Sequence, residues 1–348
     1  MENYSKLNIY KKPLLQFMVF IVALFFATLI ARFDYRLYLR GHFPYLISAS
    51  VVLSLLFVLV KKVLTGRAVE RWLLGGSVQP LEFAKISLVL FLSYYIVKKG
   101  NLRQWRYLFG ALFFPILTAL LLLAQPDRGG AVFILALTLL MVYVGGIPKK
   151  AYLAVLLLVG PILYIALSSK GYVAERLSAW KDPFADPEDS GYQIIQSLYA
   201  FARGGLMGVG IGQGIQKLGP LPASDTDYVM AVVGEELGFL GVLAVALLYS
   251  FLVGRLFLHA YRVKEPMGKL ILFGTAVNFA LSFLWNMAMV SNLIPPKGIA
   301  LPFLSYGASN LFSSVLFLGI AQSVLNHQQV SSSNLFNTSS AFTPLRQA

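Results

Sequence analysis

The sequence has 348 residues and lacks cysteine altogether, and its three histidines are His42, His259 and His327. Disulfide bonds and thiolate metal sites are therefore excluded. The histidines lie too far apart along the chain to suggest a cluster of metal ligands. Charge is also scarce, since charged residues make up 13% of the chain and hydrophobic residues 57%. This composition excludes an ordinary soluble domain and is typical of a membrane protein.

The chain instead contains a series of apolar runs, each of roughly 20 residues, which is enough to cross a hydrocarbon core about 30 Å thick. They lie at 13–31, 43–60, 83–97, 105–124, 130–147, 151–168, 229–253, 269–293 and 303–325. The first run has no cleavage site of small residues, so we interpret it as a span and not as a removed signal peptide. The sequence thus predicts an all-α, polytopic integral membrane helix bundle with about nine spans.

The basic residues give a net charge of +14 but form no dense block, which argues against a nucleic-acid partner. They are more frequent in the short loops of one side, which the positive-inside rule makes cytoplasmic. This orientation places the N-terminus outside, the C-terminus inside, and the polar segment 169–228 in a large extracytoplasmic loop. Lys6, Lys11 and Lys12 then lie on the unexpected side, as they would if one N-terminal span were missing. The polar end, 327–348, is predicted to be a flexible cytoplasmic tail.

The extracytoplasmic segment contains two local patterns. In GYQIIQSLYAFARGG, Gln193, Gln196, Ala200 and Arg203 share one helical face, which predicts a half-buried helix at the membrane interface. A plain packing helix with a solvated stripe explains this pattern equally well. The following GGLMGVGIGQG does not fit a dinucleotide-binding fingerprint, and its glycines predict a tight bend.

A carboxylate stands where the polar segment meets the next apolar run. In LPASDTDYVM, Asp225 or Thr226 is predicted to cap the following helix, with Asp227 in its first turn. The helix dipole would make Asp227 more acidic and an apolar wall would make it less acidic, and the sequence leaves both possibilities open. At that depth Asp227 can meet a lipid-borne substrate.

Polar residues inside or beside other spans are further candidates. Glu82 and Lys85 lie three residues apart on one face of a span, where such charges either neutralise each other or have a function. The segment IPPKGIALPFLSYGAS cannot be a regular helix throughout, and irregular backbone at membrane depth lines a cavity. Lys297 and Ser305 are therefore predicted to face a cavity. We interpret QPDRGG, with Asp127, as a hairpin turn.

Several motifs together resemble the SEDS (shape, elongation, division and sporulation) family, the FtsW/RodA peptidoglycan polymerases. They are, in order, QPLEFAK, QPDRGG, WKDPFADP, SGYQIIQSLYAFARGG, GVGIGQGIQKL, TDYVMAVVGEELG and PPKGIALPFLSYG. The chain also departs from the family pattern, which has ten spans and a PDFG or PDLG turn where this chain has Pro126-Asp127-Arg128-Gly129. Lys297 within PPKG is similar to the division branch, FtsW.

The resemblance implies a single membrane domain, 1–348, that polymerises lipid II at the outer face of the bacterial inner membrane. The glycan is carried on undecaprenyl pyrophosphate, and Asp227 would be the general base for the acceptor 4-hydroxyl in an inverting transfer. The expected substrate and pyrophosphate ligands are Arg203, Lys217, Lys297, Gln193 and Ser305. Glu82 and Lys85 would support the central cavity. A divalent cation, Mg or Mn, is compatible with this chemistry, although the sequence does not determine the metal.

The family also implies a partner, a class B penicillin-binding protein that acts as the transpeptidase. Two other functions remain open: a flippase or transporter of lipid-linked precursors, and a non-catalytic divisome scaffold. A transporter favours key polar groups near the bilayer midplane and inverted repeats, neither of which is evident in the sequence. A pure scaffold would not require Asp227, Arg203 and Lys217.

Overall fold

The computed structural model describes residues 2–66, 70–73, 78–100, 102, 104–168 and 172–339. In this part of the chain the fold is helical, with one isolated bridge between Leu73 and Val78. The helices are α1 (Glu2–Arg32), α2 (Phe43–Thr65), α3 (Pro80–Lys99), α4 (Trp105–Ala124), α5 (Arg128–Val144), α6 (Lys149–Ser168), α7 (Tyr172–Lys181), α8 (Tyr192–Gly204), α9 (Val229–Arg262), α10 (Pro266–Val290) and α11 (Ala308–Ser339).

Each predicted apolar run coincides with one long helix, which confirms the all-α membrane class. Seven helices of the described residues are long and apolar enough to cross a membrane, and α5 is a shorter apolar helix. The exact number of spans and their orientation remain predictions. Helix α11 continues to Ser339, so the first part of the predicted tail is helical, while 340–348 lie outside the described residues.

Helix α3 forms the centre of the bundle. In the most apolar 18-residue stretch of α3, 89% of the residues are buried inside the protein, compared with 11% in the corresponding stretch of α9. Helix α3 contacts α2, α4, α5, α10 and α11, and Leu88 and Leu92 are fully buried. A central helix exposes little surface to lipid, so its polar residues must find partners within the protein.

The glycine-rich bend packs against a kink in α9. Gly238 interrupts α9 with a φ of 65°, and Phe239 N–H donates to Gly205 O at 2.9 Å. A Cβ on Gly208, whose φ is +81°, would lie 2.2 Å from Glu236 O. The predicted tight bend is confirmed, and glycine is required at Gly208 because the two backbones touch there.

The prediction for the start of α9 is wrong. The helix begins at Val229 with Tyr228 as its N-cap, and this N-cap makes no side-chain hydrogen bond to the helix. The preceding residues form a turn in which the N–H groups of Thr226 and Tyr228 both donate to Ala223 O at 3.1 Å. Because the turn already satisfies these backbone groups, Asp227 lies before the helix and its side chain is free to point elsewhere.

Candidate active site

The backbone between α10 and α11 is irregular, as predicted, and a buried amide fixes it beside Asp227. Residues 291–307 form turns and extended segments instead of helix. Asn286, which is fully buried, donates from Nδ2 to Ile299 O at 3.0 Å and to Asp227 O at 2.8 Å. One side chain of α10 therefore binds this loop and the turn before α9 together.

Ser305 strengthens the same junction. Its hydroxyl donates to Thr226 O at 2.6 Å and accepts from Leu301 N–H at 2.7 Å. Ser305 is fully buried and does not line the cavity described below, so the prediction that it faces a cavity is wrong. The hydroxyl group donates one hydrogen bond to the backbone and accepts another from it, so Ser305 stabilises the conformation of the loop.

A cavity of about 240 Å³ opens where this loop meets α3, the start of α5 and the turn before α9. Its polar side chains come from segments far apart in sequence: Arg71, Gln79, Glu82, Lys85, Asp127, Thr226, Asp227, Tyr306 and Asn310. The side chain of Asp227 packs directly on Gly298, because a Cβ there would lie 1.7 Å from Asp227 Oδ2. The absence of a side chain at Gly298 thus makes room for the carboxylate.

Burial raises the pKa of Asp227 above its ordinary value of 3.8. The positive charges of Arg71, Lys297 and Arg176 lower the pKa of Asp227, whereas the negative charge of Asp127 raises it further. No hydrogen bond from a described residue contributes to the pKa of Asp227. A desolvated carboxylate with cations nearby, and without a hydrogen-bond donor in the described part of the chain, is suited to accept a proton from a bound hydroxyl group.

Asp127 is a second carboxylate of the cavity. It caps α5 by accepting from Gly130 N–H at 3.2 Å. Its Oδ1 atom lies 3.9 Å from an Arg71 guanidinium nitrogen and 3.6 Å from Lys297 Nζ. Asp127 therefore faces two cations, of which Arg71 lines the cavity and Lys297 does not, and a simple hairpin turn is an incomplete interpretation of QPDRGG.

Lys297 lies against the start of α5. Its aliphatic chain packs on Gly129, where an added Cβ would come within 2.6 Å of Lys297 Cγ. Burial lowers the pKa of Lys297 to about 8, although the charge of Asp127 opposes this shift. The ammonium group is thus poised to change its charge near neutral to mildly alkaline pH.

Glu82 and Lys85 form the buried pair that their spacing suggests. Lys85 Nζ lies 2.7 Å from Glu82 Oε1, and the two residues, Lys85 and Glu82, are 2% and 4% exposed. Ser313 donates to Glu82 Oε2 at 3.2 Å, and Lys85 Nζ lies 4.8 Å from the ring centroid of Phe133. Both residues line the cavity from α3, and their role in supporting it remains a prediction.

Arg203 and Lys217 lie elsewhere. Arg203 pairs with the buried Glu235 at 2.6 Å, and Lys217 pairs with Glu236 at 2.5 Å. Glu235 also accepts from the N–H groups of Ile215 and Gln216 at 3.0 and 3.1 Å. These ion pairs hold the glycine-rich bend onto α9, and neither cation lines the cavity of Asp227.

Of the remaining predicted site residues, Gln193 lies in α8 and does not line the cavity, whereas Asp227 does. Among the described residues no group of three or more acidic, histidine or cysteine side chains is placed to hold a metal ion. Asp127 already faces two cations, so the donor set does not fit a protein-held divalent ion.

Sequence reasoning missed Arg71, Asp127 and Arg176 as cavity or near-cavity residues. Arg71 donates to Pro126 O at 2.7 Å, and Arg176 donates to Pro296 O at 2.5 Å. All three precede or follow apolar runs on the side predicted to be extracytoplasmic. Their common position on that side was the only indication in the sequence that they could lie near Asp227, and it could not show which of these charged side chains contact one another.

Comparisons with known proteins identify relatives along nearly the whole chain. Residues 3–330 match the cell cycle protein family FTSW_RODA_SPOVE. A probable peptidoglycan glycosyltransferase FtsW of Trichlorobacter lovleyi is 38% identical, over 84% of this chain and 78% of that protein. The protein of the same name from Legionella pneumophila is 34% identical, over 86% of this chain and 77% of that protein.

Solved structures share the fold. One belongs to a peptidoglycan synthase complex that coordinates polymerization and crosslinking, with a TM-score of 0.72 and 29% identity over 91% of this chain and 89% of that one. The crystal structure of the rod shape determining protein RodA of Thermus thermophilus has a TM-score of 0.64 and 27% identity, over 90% of this chain and 87% of that one.

Proposed function

The chain belongs to the FTSW_RODA_SPOVE family of cell cycle proteins, and from that premise we propose that it is a peptidoglycan glycosyltransferase that polymerises lipid II into glycan strands. The observation that carries the proposal is the Asp227 carboxylate. It is held in a buried cavity with Arg71 and Lys297 nearby, and none of the described residues donates a hydrogen bond to it. The reaction takes place at the outer face of the bacterial inner membrane.

The chemistry follows from these groups. Asp227 takes the proton of the 4-hydroxyl group of the acceptor sugar while the oxygen of that hydroxyl group forms a bond to the anomeric carbon of the donor. The bond between that carbon and the lipid pyrophosphate breaks, and its electron pair leaves with the pyrophosphate. An α-linked donor then gives a β-linkage in one inverting displacement, without a covalent sugar intermediate. Cations at the cavity stabilise the negative charge that develops on the leaving group.

The biological setting follows from the relatives. The curated relatives carry the name FtsW, which supports the division branch for this chain. A related structure comes from a complex that couples polymerization to crosslinking, and this supports a transpeptidase of the class B penicillin-binding type as the partner.

The pH dependence should show the charge of Lys297. Because burial lowers the pKa of Lys297 to about 8, its ammonium group loses its proton as the pH rises through that value. We expect kcat/KM for polymerisation to fall above about pH 8, since the free enzyme then lacks one cation for the pyrophosphate. In Lys297→Arg the guanidinium stays charged, so the alkaline fall should move to higher pH. Profiles that coincide for wild type and variant would contradict this role.

Gly298 should be intolerant of a side chain. In Gly298→Ala the new Cβ would occupy the position of the Asp227 carboxylate, 1.7 Å from Oδ2, so the carboxylate must move. A displacement of about 1 Å costs on the order of 10²-fold in rate, and we expect a loss of that size in the initial rate of glycan synthesis. The control is Gly254→Ala, where a Cβ meets nothing within 4 Å. Equal rates for Gly298→Ala and wild type would show that the carboxylate does not act from this position.

Polymerisation is distinguished from transport by one reconstitution. The purified protein is placed in vesicles with labelled lipid II, with and without its transpeptidase partner, and both glycan length and lipid translocation are followed. The proposal predicts glycan strands. Labelled lipid that crosses the bilayer while no strands form would replace the polymerase with a flippase.

A further inference from the structure

An apolar groove of about 430 Å³ lies beside the active-site cavity, between the start of α5, α7, α10 and the loop that follows α10. Its walls are apolar side chains: Val132, Leu177, Leu281, Leu284, Trp285 and Ile294. Three cations also line it, Arg128, Arg176 and Lys297. An apolar groove that also carries positively charged side chains is complementary to a lipid with an anionic head group.

Within the groove, the described part of the chain supplies no acidic residue to balance this positive charge. Arg128 has a buried terminal nitrogen without a hydrogen-bond partner among the described residues. The nearby carboxylate of Asp127 is shared between Arg71 and Lys297. A buried guanidinium nitrogen with no partner is costly, and a bound anion would satisfy it.

The three cations are connected through contacts with one another's neighbouring residues. Arg176 reaches across from α7 to donate to Pro296 O, the residue before Lys297. Lys297 in turn packs on Gly129, the residue after Arg128. Arg176 is thus fixed to the loop that carries Lys297, and Lys297 contacts the first turn of α5, where Arg128 begins the helix.

The groove and the catalytic carboxylate are separated by very little chain. Lys297 lines the groove, and the next residue, Gly298, packs against Asp227. A pyrophosphate held by these cations would therefore lie close to the cavity of Asp227.

Arg128 is also the position at which this chain departs from the family's PDFG or PDLG turn, where the residue is apolar. An arginine in place of phenylalanine or leucine adds one cation to the groove. The additional cation at Arg128 is thus a property of this sequence and not of the turn in general.

We propose that this groove binds the pyrophosphate and the first isoprene units of the donor lipid, with Arg128 as a pyrophosphate ligand beside Arg176 and Lys297. The assignment of donor, as opposed to acceptor, rests on the proposed function, because only the donor loses its pyrophosphate in the reaction. Arg203 and Lys217 do not line this groove and are paired with Glu235 and Glu236.

The test is binding of undecaprenyl pyrophosphate to the full-length protein in nanodiscs of zwitterionic lipid. Arg128→Leu, which introduces the apolar residue of the family pattern, should raise Kd by about 10- to 100-fold, the range expected for the loss of a charged hydrogen bond. The Kd of Arg128→Lys should lie between those of the wild type and Arg128→Leu, because lysine keeps the positive charge but lacks the paired N–H donors of a guanidinium group. Binding of undecaprenol, which has no pyrophosphate, should be the same in all variants.

The matched control is Arg255→Leu, which removes an exposed arginine from α9 and should leave Kd for undecaprenyl pyrophosphate unchanged. An unchanged melting temperature of Arg128→Leu shows that the variant is folded. Equal Kd values for wild type and Arg128→Leu would overturn the proposal. So would competition by phosphatidylglycerol at equal concentration, which would make the groove a general site for anionic lipids.

The same assay separates this inference from the proposed function. Binding needs no catalysis, so it is also measured in Asp227→Ala. If Asp227→Ala is inactive while Arg128→Leu binds like wild type, this inference alone fails. If Asp227→Ala polymerises normally while Arg128→Leu loses binding, the pyrophosphate site stands and the assigned base fails.

Discussion

Replacing Lys85 by methionine should lower the free energy of unfolding by about 3–5 kcal/mol, the usual cost of leaving one buried charge without its partner. Lys85 is 2% exposed, and its ammonium lies 2.7 Å from the carboxylate of Glu82. Without it, Glu82 retains a hydrogen bond from Ser313 but loses the cation that neutralises it. The measurement is the midpoint of unfolding of the purified protein in detergent.

The double variant Glu82→Gln with Lys85→Met provides the control. It removes both charges while the amide that replaces the carboxylate keeps an oxygen for Ser313, and replacement of a whole buried pair is often close to neutral. We therefore expect the double variant to regain most of the stability lost in Lys85→Met. A Lys85→Met protein as stable as wild type would show that the pair does not hold α3 in place.

Replacing Asp227 by asparagine should lower kcat for glycan synthesis by about 10²- to 10⁴-fold, the contribution expected of a general base. Asparagine keeps the shape that fits against Gly298 but cannot take up the acceptor proton. KM should change little, because the residues that line the cavity remain. The measurement is the initial rate of polymerisation over a range of lipid II concentrations.

A neighbouring carboxylate supplies the control for Asp227. Asp225 is two residues away and pairs with Lys12 at 2.6 Å, with 44% of its side chain exposed. Exposed pairs contribute about 0–1 kcal/mol to stability, and Asp225 does not line the cavity. Asp225→Asn should therefore retain most of the activity. If instead Asp227→Asn kept the wild-type kcat, another group would have to be the base.

The helices could be predicted from the sequence because a membrane span is a local property. About 20 consecutive apolar residues are required for each crossing, and the nine predicted runs all became helices. The irregular segment 291–307 was equally accessible, since Pro295, Pro296 and Pro302 exclude a regular helix. The pair Glu82–Lys85 followed from spacing within one helix.

The composition of the active site could not be predicted in full because it depends on contacts between distant segments. Arg71 and Asp127 are 56 residues apart in sequence and face each other at 3.9 Å. Asp127 resembled an ordinary turn residue until the cations around it were located. Only the fold shows that Lys297 approaches the same carboxylate from the far end of the chain.

Arg203 and Lys217 lie farther from Asp227 than their positions in the sequence suggested, since neither lines its cavity. They flank the glycine-rich bend on the side predicted to be extracytoplasmic, which made them reasonable pyrophosphate ligands. The kink at Gly238 brings the bend back onto α9, where Glu235 and Glu236 pair with the two cations. Their closeness to Asp227 in the sequence suggested that they bind substrate, whereas their contacts in the structure hold the bend against α9. Their role as ligands remains a prediction.

The most direct test of the central claim is a glycan-length gel of labelled lipid II incubated with purified wild-type protein or with Asp227→Ala, each with and without the transpeptidase partner. The account predicts a ladder of long strands from the wild type and none from Asp227→Ala. Strands of equal length and amount from both proteins would contradict the assignment of Asp227 as the base.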